Sequence, residues 1–451
     1  VEAHLPRLPL PISKYPLSAQ WEEYIPAPLD EYSLWNGVAK FQHEQRCVSC
    51  EEAQFALDVL MYLFPTLPQH SQLAPDAVVL EELKQHSEKT SGFPWNMYGA
   101  PSKGQALEKF GLTGLEEYYA AYTSVIGSTL KDELREQGKD ARFFRPQDVS
   151  SYIEGCRLFY NQNELLMRTL ESPVFVKFCS PGQDFPRMLR KLMEHGGECY
   201  AADGSRWDAN FQVFVAQILC CFRSLGADKE RVFRYYCQMY CGVTNVQGNV
   251  FRLFGQPSGH YNTSTDNSLG HIVLMSIHAF RHNMTIEAFI ADLLFYACGD
   301  DIIWSTISDT FAPELIDETY SSCGVFLEFE SLTSRSPLEL TFVGCKGVWK
   351  KIHGLKVLLY SLVGRRSLAS LHCDKKGRKP IDHIAKLASL AQLFFADEER
   401  YNIAVMALRH RLAEYVAAGV LSLSDPSVVG LLRSVDPEVL TRQYLSWEHV
   451  F

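Results

Sequence analysis

Apolar positions fall into a few strong runs separated by polar or Gly/Pro breaks. The most informative is Leu294-Phe295-Tyr296-Ala297-Cys298-Gly299-Asp300-Asp301-Ile302-Ile303-Trp304, where β-branched and aromatic residues flank a Gly-Asp-Asp tip. That pattern predicts two strands joined by a tight turn at Gly299. Helical spacing predicts a buried face near 51–64 (Phe55, Leu57, Leu60, Met61 and Phe64), stopped by Pro65. Further helices are expected over 103–127, around Met188 to Met193, and over 263–275 and 312–323. Strands are expected leading into Asp203, on both sides of Gly248-Asn249, and at 325–330 and 338–349. The last hundred residues read as mostly helical, at 383–395, 398–417 and 427–433. Residues 1–40 carry Pro6, Pro9, Pro11, Pro16, Pro26 and Pro28 and are expected to be mostly irregular. The order helix-rich, strand–helix–hairpin, helix-rich implies an α+β core flanked by helical lobes.

Composition narrows the class without naming the chemistry. A chain of 451 residues is long enough for two or three subdomains. Its 47% hydrophobic and 21% charged residues are the balance of a globular protein. No run of about eighteen apolar residues marks a transmembrane helix. The start, Val1-Glu2-Ala3-His4-Leu5-Pro6, is not a secretory signal; without an initiator Met it fits a segment released from a larger precursor. A net charge of −10 argues against a globally basic nucleic-acid binder but leaves room for a locally basic channel. Thirteen irregularly spaced cysteines predict reduced thiols. His43, Cys47 and Cys50 have metal-like spacing, yet no fourth ligand follows at zinc-finger distance.

Acidic residues at strand ends supply the candidate chemistry. Asp300 and Asp301 repel each other unless a cation neutralises them, and hard divalent ions prefer such oxygen ligands. Gly-Asp-Asp is also simply a turn sequence. Asp203 is expected at the end of a strand and Asp208 at the start of the helix that follows, where a turn residue and an N-cap are the plainer readings. If these strands share a sheet, the carboxylates meet at one edge. Two ions about 3.5–4 Å apart can then serve in-line displacement at phosphorus. Lys131, Lys139 and Arg142 form a basic group nearby in sequence. The alternation Arg142-Phe143-Phe144-Arg145 predicts a strand presenting arginines to a polyanion. Thr263, Ser264, Thr265, Asp266 and Asn267 open a buried helix with small polar residues, which is unfavourable unless caps or a ligand satisfy them.

These segments, in this order, resemble the RNA-dependent RNA polymerases of positive-strand RNA viruses over roughly residues 90–350. Asp203-Gly204-Ser205-Arg206-Trp207-Asp208 looks like the Asp-x4-Asp motif A, and Ser258-Gly259 through Thr263 to Asn267 matches motif B. Cys298-Gly299-Asp300-Asp301 is similar to motif C. Lys131 to Arg142 resembles motif F, Ser91-Gly92-Phe93-Pro94 motif G, and Leu340 to Lys346 motif E. The resemblance implies a right-hand polymerase with fingers, palm (antiparallel sheet plus helices) and helical thumb, encircled by an N-terminal extension. The expected divisions are 1–195 for the N-terminal extension and fingers, 196–211 for palm, 212–255 for a fingers return, 256–350 for palm and 351–451 for thumb.

It also implies roles. Asp203 and Asp300 would be the principal ligands of two Mg²⁺ or Mn²⁺ ions, with Asp301 in support. Asp208 and Asn267, with Thr263, would read the ribose 2′-hydroxyl, and Ser258 and Gly259 would form an adjustable loop. Lys131, Lys139 and Arg142 would hold the triphosphate, and Ser91, Gly92 and Pro94 would guide the template. The implied partners are template and product RNA, NTPs and other viral replication proteins, in the host-cell cytoplasm at membrane-associated replication complexes. Within the family, motif B looks most like astroviruses and picornavirus-like relatives, a branch in which a protein primer is the expectation. Residues 302–345 depart from the family by containing no Lys; Arg335 is the only basic residue there and is a poor general acid. A reverse transcriptase or DNA polymerase palm is the nearest alternative, and a non-catalytic RNA-binding protein the plainest. No Gly-x4-Gly-Lys-Ser/Thr loop supports a helicase or kinase.

Overall fold

In the computed structural model, the described residues are 24–122, 125–168, 181–364, 367, 370–371 and 379–448. Pro6, Pro9, Pro11 and Pro16 lie outside them. The first described elements are strand β1 (Tyr24–Pro26) and helices α1 (Glu31–Lys40), α2 (Cys50–Leu63) and α3 (Asp76–Gln85). Helix α4 (Lys103–Ala121) leads to four short strands, β2 (Val125–Ile126), β3 (Thr129–Leu130), β4 (Leu134–Glu136) and β5 (Phe143–Phe144). Helices α5 (Val149–Arg168) and α6 (Pro181–His195) follow. Within the expected irregular stretch 1–40, whose first twenty-three residues lie outside those described, residues 31–40 form the helix α1. Its first residue follows the last proline, Pro28, and Asp30 caps it by accepting the Ser33 N–H.

The centre is a four-stranded antiparallel sheet. Its strands are β6 (Glu198–Gly204), β9 (Leu293–Cys298), β10 (Asp301–Thr306) and β11 (Leu327–Phe329), in the order β11-β6-β10-β9. Between β6 and β9 the chain forms α7 (Trp207–Asn210), α8 (Val213–Arg223), α9 (Lys229–Tyr240), the hairpin β7 (Val243–Val246) and β8 (Asn249–Arg252), and then α10 (Thr263–Arg281) and α11 (Ile286–Asp292). Helix α12 (Pro313–Ser322) precedes β11.

The strands read as near-continuous apolar runs because both faces of the sheet are covered. Tyr200, Ala202, Phe295, Ile302 and Trp304 pack with α2, α8, α10 and α12. Cys199, Ala201, Tyr296 and Ile303 point the other way, onto α6 and the helical C-terminal region. Burying a large side chain such as Phe295, Ile302 or Ile303 contributes ~1.5–3 kcal/mol. Alternation along the strands therefore decides which face each carboxylate joins.

Two segments differ from expectation. The run 338–349 is a strand only from Cys345, as β12 (Cys345–Ile352), and it pairs with β13 (Leu355–Leu362). A two-residue turn with positive φ at His353 and Gly354 joins them, and the expected boundary between residues 350 and 351 falls inside β12. The C-terminal region is otherwise helical, at Pro380–Leu393, Glu398–Ala417, Pro426–Ser434 and Pro437–Glu448. The N-terminal residues tie the basic strands to the sheet's helices. Strand β1 pairs with β4, Phe143 packs against Gly37 of α1, and Glu52 of α2 bridges to Arg281 at the end of α10 at 2.6 Å.

Candidate active site

Strands β6 and β10 pair so that Asp203 stands directly opposite Asp301. On the other side of β6, Glu328 pairs with Asp203. Residues directly opposite in antiparallel strands share a face, so three carboxylates form a row across the sheet. Asp300 sits beside them in the two-residue turn from β9 to β10, where Gly299 has φ 69°, as a hairpin with glycine first requires. Glu328 was not foreseen; a lone acid between Leu327 and Phe329 is its only signal in sequence.

Crowding shifts these acids. Burial, then Asp203 and Asp300, pushes the Asp301 carboxyl up to about 8. Asp203 is open at the sheet edge but enclosed at longer range by its neighbours. Its carboxyl is raised to about 6 by that desolvation and by Asp300 and Glu328, against the pull of Arg142. Asp300 is raised by burial and Asp208, with Arg142 and Lys131 opposing. Hard oxygen donors held together against their own repulsion fit a divalent cation chemically. Among the described residues, no three His, Cys, Asp or Glu side chains are already gathered as a metal cluster.

The turn is fastened to its surroundings through its backbone. The Gly299 N–H donates to Ser268 Oγ of α10 at 2.9 Å, and the Gly204 N–H donates to the Asp300 carbonyl at 2.9 Å.

Above the carboxylates, α7 and the start of α10 meet. Asp208 lies inside the four-residue α7, separate from α8, and both its oxygens are engaged: Ser258 Oγ donates at 2.8 Å and Asn267 Nδ2 at 3.3 Å. Asn267 Oδ1 is buried with no partner, an acceptor available to a ligand hydroxyl. Thr263 turns its hydroxyl back to the His260 carbonyl, and Gly259 takes a left-handed φ of 78° with open space where a Cβ would stand. The polar opening of α10 is satisfied from below. Arg223 and Asp266, both fully buried, form an ion pair at 2.8 Å. Tyr236 donates to Asp266, and Arg223 also donates to Asn163. Sequence reasoning missed Arg223, which reads as one more charge at a helix end.

The basic group divides. Lys131 and Arg142 act electrostatically on Asp300, and both also lie within 4.0 Å of Glu133. Lys139 instead pairs with Glu136 at 2.5 Å on the turn beyond. The expectation of two presented arginines is corrected for Arg145. It is fully buried and donates to the carbonyls of Leu253, Phe254 and Gly255. Arg142 and Arg145 are three apart, so strand alternation sends them to opposite faces. Ser91, Gly92 and Pro94 are also buried. Ser91 donates to the Ala100 carbonyl and Gly92 lies against the Asp148 backbone, so they shape the loop and offer no side chain to a template. Exposed Met97 and Tyr98 lie just beyond. Lys346, the first Lys after the carboxylates, is held by Glu330 and the Glu339 carbonyl. The turn before it comes close: Asp301, after burial, helps push the Cys345 thiol up to about 12. His43 meets Gln45 and Gln212, while Cys47 and Cys50 are exposed.

Comparison with known proteins agrees with this arrangement. Residues 119–385 match the family described as viral RNA-dependent RNA polymerase. The chain is 24% identical over 307 residues to the genome polyprotein of Peanut mottle virus (strain M), covering 62% of this chain and 10% of the polyprotein. It is 24% identical over 262 residues to the genome polyprotein of Watermelon mosaic virus II (isolate USA), covering 52% of this chain and 26% of that sequence. The chain thus spans only a small part of these relatives. The solved structure of a Sicinivirus 3Dpol RNA dependent RNA polymerase superposes with a TM-score of 0.71 at 15% identity, covering 94% of this chain and 93% of that one. The overall fold is therefore that of the right-hand polymerases.

Proposed function

The chain belongs to the viral RNA-dependent RNA polymerase family, and from that premise we propose that it copies an RNA template from NTPs to replicate a positive-strand genome. The observation that carries this reading is the register of β6 on β10, with Asp203 opposite Asp301 and the Asp208–Asn267 contact above.

Asp203, Asp300 and Asp301 would hold two Mg²⁺ or Mn²⁺ ions, which when bound supply Lewis-acid activation of the 3′-hydroxyl and charge neutralisation at the leaving pyrophosphate. Arg142 and Lys131 orient the triphosphate beside the carboxylates. Asn267 accepts the ribose 2′-hydroxyl at its unpartnered Oδ1, while Asp208 holds its amide in that orientation. Reverse transcriptase chemistry is disfavoured by this pair, which favours a 2′-hydroxyl. The partners are template and product RNA, with a protein primer and other replication proteins. The site of action is the host-cell cytoplasm, at membrane-associated replication complexes; among the described residues no helix is long and apolar enough to cross a membrane.

Primer extension on an RNA template tests the reading. Wild type should incorporate NTPs only with a divalent ion, and Asp203→Ala and Asp300→Ala should lose incorporation. Unchanged incorporation in both variants would sink the assignment.

A further inference from the structure

The carbonyl of Asp300 receives a second donor. His271 of α10 brings Nε2 to 3.3 Å from it, while the Gly204 N–H reaches the same oxygen from β6. A carbonyl oxygen only accepts, so Nε2 carries a proton. The other ring nitrogen, Nδ1, lies 3.2 Å from the hydroxyl of Tyr320 on α12. The imidazole also stacks on Trp207, just ahead of Asp208 in α7, with centroids 4.0 Å apart and planes at 20°. His271 and Tyr320 are fully buried, so their mutual contact is shielded from bulk water, and the contact to the Asp300 carbonyl is partly so.

The spacing along α10 gives this ring its meaning. Asn267, Ser268 and His271 are neighbours on one helix face, being three and four residues apart. Asn267 joins Asp208, Ser268 takes the Gly299 N–H, and His271 takes the Asp300 carbonyl. One helix therefore meets Asp208 above and holds the peptide groups at the two ends of the turn.

We propose that His271 is a positioning residue: its Nε2–H holds the Asp300 carbonyl and so sets where the catalytic turn stands relative to the sugar-reading face of α10. Tyr320 donates to Nδ1 and thereby keeps the imidazole in the tautomer that can do this. Any buried imidazole needs partners for its nitrogens; what is particular to His271 is that one of them is the carbonyl of the turn that carries Asp300. The role rests on the polymerase reading above.

Steady-state NTP incorporation, thermal melting and ¹⁵N-histidine NMR on the full chain test it. His271→Phe keeps a ring on Trp207 but removes both nitrogens. It should lower kcat by about ten- to hundredfold, the usual effect of losing an outer partner of a ligand, with the KM for NTP within about threefold. His271→Gln, whose amide can still donate to the carbonyl, should recover much of that loss. Tyr320→Phe should lower kcat less, shift His271 away from the Nε2–H tautomer in the NMR spectrum, and have no further effect in the His271→Phe background. An unchanged kcat in His271→Phe overturns the proposal, as do glutamine no better than phenylalanine or additive effects of the two substitutions. If His271→Phe melts before assay temperature, Tyr320→Phe, which removes a single oxygen, carries the test through its kcat and tautomer. A wild type that incorporates no nucleotide overturns the polymerase reading itself, and this role with it. An active wild type indifferent to all three substitutions overturns only the role of His271.

Discussion

Asp203 and Asp301 face each other across adjacent antiparallel strands, one from the end of β6 and one from the start of β10. Like charges directly opposite destabilise a sheet; burial, then Asp203 and Asp300, raises the Asp301 carboxyl, and burial, then Asp300 and Glu328, raises that of Asp203. Both folded values, about 6 and about 8, lie above the roughly 4 of an unfolded Asp. At these two carboxyls the native state therefore binds more protons than the unfolded state in this range, and their contribution to stability falls as pH rises. Their share of the metal-free protein's stability should fall from pH 5 to pH 8.5, with solvent damping that of the exposed Asp203, while His260, His271 and His278, held neutral by burial, pull the other way below about pH 6.5. Asp301→Asn should flatten that slope and raise the melting point at pH 8, and Mg²⁺ should stabilise wild type more at pH 8 than at pH 6. Scanning calorimetry of both proteins, with and without chelator, decides it; a melting-point gap between Asp301→Asn and wild type that does not widen from pH 6 to pH 8.5 would refute the account.

Sugar selection should rest on Asn267. Replacing it by Ala removes a buried acceptor without a partner and leaves Asp208 with Ser258 alone. The ratio of kcat/KM for NTP over dNTP should fall by about tenfold or more, since a site built to bind a hydroxyl rejects the analogue lacking it. Competing incorporation of matched NTP and dNTP measures this, and an unchanged ratio would remove Asn267 from the role.

The two ends of the basic group should separate kinetically. Arg142→Gln should raise the KM for NTP about tenfold, the equivalent of one charge-assisted hydrogen bond of ~1.5 kcal/mol. Lys139→Gln, which breaks only the pair with Glu136, should stay within about twofold. Equal effects would mean that Lys139 reaches the triphosphate after all.

Beneath the sugar-reading face, the Arg223–Asp266 pair should matter for stability. Arg223→Met strands a carboxylate with 0% exposure and should cost ~3–5 kcal/mol in urea unfolding. Replacing both by apolar residues should recover most of that loss. A single substitution costing under about 1 kcal/mol would show that water already reaches the pair.

The sequence determined the elements that chemistry and periodicity mark locally. Gly299 between two apolar runs announces a hairpin, Asp203 ends a run of strand-formers, and five small polar residues opening an apolar helix announce a site above the sheet. Each of those signals is carried within a few residues, and backbone geometry acts at that range. Only the tertiary structure decided which carboxylates share a face, because register depends on partners about a hundred positions away. It put Glu328 in the row and made Asp301 the direct neighbour of Asp203. It turned Arg145 inward to three carbonyls while leaving Arg142 beside the acids, and it buried Ser91, Gly92 and Pro94. The same holds for Arg223 and His271. Their side chains are ordinary in sequence and acquire meaning only from the buried acceptors that packing brings within about 3 Å, where an unmet hydrogen bond is expensive.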